Sequence, residues 1–386
     1  MSHCHAKLVV TMTALYLHIP FCRTKCHYCS FSSRAGCSEL YTPYIHALKK
    51  ELTQVAGMGP HPPLQSLFIG GGTPSILPCS LLTGIVDHCR EQFAMMPDIE
   101  ISVETNPGTV DERYLQALYR AGVNRLSLGV QSFADPELKI LGRSHTAEEA
   151  AGAFQAARNA GFTNVNLDLM CGLPGQTPLS WKKSLDLALS LQPEHLSVYQ
   201  LSIEPGTQFA DLLKNKKMEL PEEEDILLMD RQTQRGCLAA GMQHYEISNY
   251  CLAGYECRHN VNYWLNEDYL ACGVAAVSFR KGVREKRITD AREYIRRMDA
   301  GISVVEEREC LSAEASFRET MIMGLRLIRG VCRETLVQRY GRDPVQYYGP
   351  VLDKLVHLGL VELTDTHLRL TGTGRPLANQ VMAELV

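Results

Sequence analysis

The chain has 386 residues, 45% of them hydrophobic, a formal net charge of −4 and a pI near 6.4. That is ample for a large core or for two domains. No long basic stretch is present, which excludes nucleic-acid binding driven by charge, and no apolar run reaches the roughly 18 residues that cross a bilayer.

The chain opens MSHCHAKLVVTMTALYL, without the apolar core and small-residue cleavage site of a secretory signal. With fourteen cysteines, this places the protein in a reducing cytoplasm. Cys79, Cys89, Cys237, Cys310 and Cys332 then read as small buried apolar residues. Met12 begins MTALYLHIPFC, so residues 1–12 are taken as an extension ahead of the fold.

Six strand-like runs follow in order: 14–19, 66–70, 99–104, 125–130, 165–170 and 195–201. Helical patterns separate them near 39–55, 79–93, 111–121, 146–160 and 178–190, with another at 223–240. The acidic run 221–230 reads as a solvated helix start. This alternation predicts an α/β fold with a parallel sheet, an open and partial (β/α)6 TIM-like barrel over residues 13–248. The run 243–248 offers one more strand. Residues 249–311 lose the alternation and are expected to form a connecting segment. Residues 312–386 show helices near 314–328, 345–358 and 374–385 around a hairpin at 361–371. They predict a small winged-helix-like α+β domain. No basic helix with base-reading residues is seen there, so no nucleic acid is expected as a partner.

Each strand is followed by a polar or Gly-rich loop: PFCRTKCHYC, GGGTP, ETNPG, VQSF, DLMCGLPGQ and LSIEPGT. In parallel βα architectures the C-terminal strand ends build the site, so six such loops describe one large site. The first carries Cys22, Cys26 and Cys29, then Phe31. Zinc would need a fourth ligand, for which His27 and Cys37 are near enough to keep a zinc-binding scaffold open. A [4Fe–4S] cluster fits better, because three thiolates leave one iron with a free position for a substrate or cofactor.

The spacing C-x3-C-x2-C, followed by Gly70-Gly71-Gly72-Thr73-Pro74, resembles the radical S-adenosylmethionine (SAM) superfamily. There the free iron chelates SAM. LYLHIPFCRTKCHYCSF, GGGTPS, ETNPG, GVQSF, DLMCGLPGQT and YEISNY…CRHNVNYW, taken in order, are similar to the oxygen-independent coproporphyrinogen oxidase superfamily. Its dehydrogenase branch carries a further cysteine and a longer N-terminal arm. Its haem chaperone branch, HemW, carries phenylalanine there, as Phe31 does, and an H-N-x-x-Y-W signature, as residues 259–264 do.

The resemblance implies cluster ligands Cys22, Cys26 and Cys29. It implies SAM contacts at Tyr16, Tyr28, Gly72, Thr73, Pro74, Glu104, Gln131, Arg143, Asp168 and Ser202. Haem would fall on His259, Tyr263 and Trp264: histidine is a common axial ligand and the aromatic faces suit a porphyrin. Cys257 is a rival ligand. An exposed His259 is expected, since cargo must be released. The resemblance implies a chaperone that hands haem to respiratory membrane enzymes, without coproporphyrinogen III dehydrogenase activity. Peripheral membrane association and a homodimer are both compatible with it. One departure stands out. The family's G-x-G-A-H-[SG] segment is here Gly273-Val274-Ala275-Ala276-Val277-Ser278, without the histidine.

Overall fold

The computed structural model describes residues 13–386, so the N-terminal extension lies outside the described residues. Six parallel strands pair in chain order: β1 (Thr13–Ile19), β2 (Leu64–Gly71), β3 (Met95–Thr105), β4 (Arg125–Gln131), β5 (Val165–Cys171) and β6 (His195–Gln200). β1 and β5 are buried on both faces, which explains their largely apolar runs. The helices α1 (Tyr41–Gly57), α2 (Cys79–Gln92), α3 (Glu112–Arg120), α4 (Ala147–Asn159) and α5 (Pro178–Ser190) cover the outside. Asp111 caps α3, and α4 and α5 start at capping boxes built on Thr146 and Thr177. This is the expected partial barrel, and each loop after a strand lies at its C-terminal end.

After α6 (Glu223–Ala239) the sheet continues in two directions. β7 (Gln243–Glu246) and β8 (Asn249–Cys251) extend the β6 edge antiparallel. Helix α7 (Arg258–Trp264) crosses to the other side, where β9 (Tyr269–Cys272) runs parallel to β1. β10 (Val277–Arg280), β11 (Val283–Arg287) and β12 (Val305–Cys310) add antiparallel strands and bring the sheet to twelve. Residues 249–311 are therefore more than a connection: they carry five strands of the sheet and the helices Arg258–Trp264 and Ala291–Ala300. The β10–β11 hairpin turns on Lys281 and Gly282, both with positive φ (50° and 75°), as a tight primed turn requires.

Residues 313–383 run helix (Ala313–Gly324), short strand (Val331–Cys332), helices (Arg333–Tyr340, Pro344–Tyr348, Pro350–His357) and hairpin (Val361–Leu363, His367–Leu370). This is a winged-helix order closed by the helix Ala378–Ala383, with its own core around Phe317, Met321, Leu352 and Leu368. Backbone hydrogen bonds from Ile247 to Arg326 and from Ile328 to Tyr245 tie it to the barrel edge.

All thirteen cysteines among the described residues are free. Cys89 and Cys237 are buried as expected. Cys79 and Cys332 are only half-buried and Cys310 is exposed, because Cys310 ends the sheet's outermost strand. No helix among the described residues is long and apolar enough to cross a membrane.

Candidate functional site

The cysteine loop is fixed from three sides. A two-residue ribbon pairs Phe21–Cys22 with Arg34–Ala35 and closes the loop at its base. The His27 backbone donates to Leu141 (3.0 Å), and Phe209 donates to His27 (3.1 Å). The Gly-rich loop holds the remaining side: Gly72 N–H reaches Ile19 and Thr73 N–H reaches Phe21, both at 2.8 Å. A Cβ on Gly72 would stand 2.6 Å from the Phe21 carbonyl and 2.9 Å from Cys22 Sγ. Gly71 has φ 118°, and a Cβ there would strike the His18 ring at 2.8 Å. Glycine is needed here to seat the cysteine loop against the sheet, before any ligand is considered.

Above the strand ends opens a cavity of about 440 Å³, lined by Cys22, Cys26 and Cys29 together with Tyr28, Gly72, Thr73, Glu104, Gln131, Arg143, Asp168 and Ser202. Of the expected SAM contacts, Pro74 and Tyr16 stand apart. Pro74 starts a buried 3-10 turn. Tyr16 lies inside the barrel, with its hydroxyl 3.0 Å from His18 Nδ1. Met170, Tyr199 and Ser127 also line the cavity and were missed, because a strand residue's facing is legible only once the register is known; Asn106 lines it from the loop after β3.

The polar groups here are held at some cost. Arg143 donates to Cys26 Sγ at 3.5 Å and to the Gly129 carbonyl, while its Nε is buried with no partner among the described residues. Glu104 accepts from Gly71 N–H at 3.0 Å. Burial, with Asp168 adding repulsion, pushes the Glu104 carboxyl up to about 8. Burial raises Asp168 too, against the hydrogen bonds it takes from Ser127 and Asn166 (each 2.8 Å). Gln131 has φ 69° at the end of β4, where the register with β5 slips, a strained backbone at a site. Burial also raises the Cys29 thiol. Among the described residues no three His, Cys, Asp or Glu side chains come together as a single bound metal ion requires.

The H-N-x-x-Y-W residues lie elsewhere. Helix α7 packs against the N-terminal end of β2, where His259 is 1% exposed. One His259 ring nitrogen meets Ser66 Oγ and the other Tyr263 Oη, each at 3.0 Å. The ring stacks on Phe68 with centroids 5.1 Å apart, and burial followed by nearby Arg125 lowers its pKa to about 3. Gly71, beside the cavity, is five residues along β2 from Ser66, roughly 16 Å of strand. Trp264 turns away under the Arg326 guanidinium at 4.3 Å. The expected exposed histidine is thus corrected: His259 plugs the barrel floor with both ring nitrogens engaged. Cys257 is buried as well, its thiol 3.6 Å from Glu100. Nothing in the local sequence marked this, because the partners Ser66 and Glu100 lie on distant strands. His259→Ala should cost roughly 2–4 kcal/mol by leaving a void and two unpaired hydroxyls. Urea denaturation measures this; an unchanged midpoint would contradict the plug.

The Radical SAM superfamily model matches residues 16–188, and the HemN C-terminal domain model matches residues 311–377. The heme chaperone HemW of Bacillus subtilis is 37% identical, over 96% of this chain and 98% of its own. The Chain belongs to the HemW family. The Escherichia coli HemW is 35% identical over 96% of this chain and 97% of its own. Among solved structures, the Escherichia coli coproporphyrinogen III oxidase HemN, described as a radical SAM enzyme, superposes with a TM-score of 0.85. It is 25% identical and aligns over 97% of this chain and 90% of its own. The radical SAM fold and C-terminal domain expected from the sequence are therefore those of this HemW family member.

Proposed function

We propose that this HemW family member is a haem chaperone that carries a [4Fe–4S] cluster on Cys22, Cys26 and Cys29, binds SAM beside it, and passes haem to respiratory membrane enzymes. One observation carries the cluster reading: Cys22, Cys26 and Cys29 line one cavity together, with Phe31 rather than a further cysteine on its rim. A cube held at three corners suits ligands spread more widely than a tetrahedral ion allows, which weighs against the zinc scaffold. The donor set also fits. The Arg143 cation sits against Cys26 and would offset the negative charge of ligating thiolates.

When bound, the cluster and SAM supply one-electron chemistry. The surrounding residues bind and orient. Glu104 and Asp168 are buried acceptors suited to a ribose diol or a sulfonium, and a cation placed between them would favour their ionised forms. Gln131 and Ser202 offer neutral polar contacts, and Tyr28 closes the wall beside Cys29. By this reading His259, Tyr263 and Trp264 shape the barrel floor and its junction with the C-terminal domain.

The test is haem titration of anaerobically prepared protein, with a coproporphyrinogen III assay in the presence of SAM on the same sample. Haem binding and transfer to an apo-haem protein, without protoporphyrinogen IX formation, is expected. Turnover would overturn the chaperone reading in favour of the dehydrogenase. A colourless preparation with zinc and no iron would favour the scaffold.

A further inference from the structure

The His259 burial removes the expected haem ligand from the surface, so the haem reading needs another seat. Phe31 is 66% exposed, the most exposed aromatic ring among the described residues, and it lies on the cavity rim. A lone exposed ring is unremarkable; its neighbours make it informative. Arg23 and Lys25 are exposed on the same rim. Nearby cations are spent: Arg34 on Asp290 and Arg292 on Glu39, both at 2.7 Å. Arg23 and Lys25 enter no ion pair among the described residues, and Lys25 reaches only the Phe31 carbonyl, at 3.5 Å. Tyr28, Met170 and Tyr199 continue an apolar wall inward. Glu204 also lines the cavity, as a carboxylate among these groups.

A flat apolar face beside two uncompensated cations is complementary to a planar apolar ring that bears two carboxylates. SAM, with a single carboxylate and its own positive charge, does not call for two free cations. We propose that haem is held at this mouth, its ring against Phe31 and its two propionates on Arg23 and Lys25. The inference rests on the chaperone reading above. It also gives Phe31 a physical role in place of a fourth thiol: a ligand there would face the cluster, whereas this ring faces outward.

The test is an absorbance titration of the cluster-loaded full chain with ferric haem and with its propionate dimethyl ester. Wild type, Arg23→Gln/Lys25→Gln and Phe31→Ser are compared, with iron content measured throughout. Loss of the charged contacts should weaken haem about tenfold or more. The diester should bind wild type comparably weakly and gain nothing further from the double variant, and Phe31→Ser should weaken both ligands. Equal wild-type affinity for haem and diester overturns the seat, as does unchanged haem affinity in the double variant; either result leaves the chaperone reading standing. Absence of haem binding by wild type overturns both. If a variant loses its cluster, the wild-type comparison of haem with diester still decides.

Discussion

Cys26→Ala is expected to strip the protein of most of its cluster iron and sulfide after anaerobic reconstitution. On the proposed reading, removing one of three thiolates would leave two ligands and two corners of the cube without a protein donor. It also takes from Arg143 its sulfur contact, in a place where Nε already lacks a partner among the described residues. The folded chain should survive, because Cys26 is half-buried in a loop whose path is set by backbone hydrogen bonds from its neighbours. Cys37→Ala is the matched control: its thiol turns to the Ala35 carbonyl at 3.5 Å, away from the cavity. Full iron retention in Cys26→Ala, or equal loss in Cys37→Ala, would contradict the assignment.

The second large effect concerns stability. Glu51→Ala should cost about 3–5 kcal/mol, read as a fall in the denaturation midpoint. Glu51 and Arg287 form an ion pair of 3.0 Å whose side chains are only 4% and 5% exposed. The same carboxylate accepts from Gly273 N–H at 2.7 Å and from the Tyr294 hydroxyl at 2.5 Å, while Arg287 also donates to Ser278 at 2.7 Å. Alanine would leave a guanidinium buried without its counter-charge, the expensive way to break such a pair. Replacing Glu51 and Arg287 together by apolar residues should cost less than Glu51→Ala alone. An Ala variant as stable as wild type would show that water reaches Arg287. The network also fixes the two ends of the 273–278 segment. A Cβ at Gly273, with φ 101°, would meet the His18 carbonyl at 2.6 Å, so this glycine is needed, while Ser278 serves Arg287. These residues hold β9–β11 against α1.

The six parallel strands were legible because each has a largely buried stretch rich in apolar and β-branched residues between turn signals. The loops above them were legible because their residues exceed what a turn requires. The strands β9–β12 were not. They are short, and β12 is almost wholly exposed, so Val305–Cys310 carries charges where apolar alternation would have marked a strand. The Lys281-Gly282 turn was the available signal. Glu51 on α1 reads as an ordinary solvated helix position, and its partner lies 236 residues away. His259 misled for a similar reason. Sequence spacing puts it beside Tyr263 and Trp264, but only the fold places Ser66, Phe68 and Glu100 around it and turns it inward.

Electron paramagnetic resonance of the reduced, cluster-loaded protein, recorded before and after SAM is added, tests the central claim most directly. A four-iron signal whose g-values move on addition of SAM is predicted, since SAM would bind at the corner of the cluster that Cys22, Cys26 and Cys29 leave open. A four-iron signal that stays unmoved while equilibrium dialysis shows SAM bound would mean that no corner of the cube is open to it, and would contradict the account.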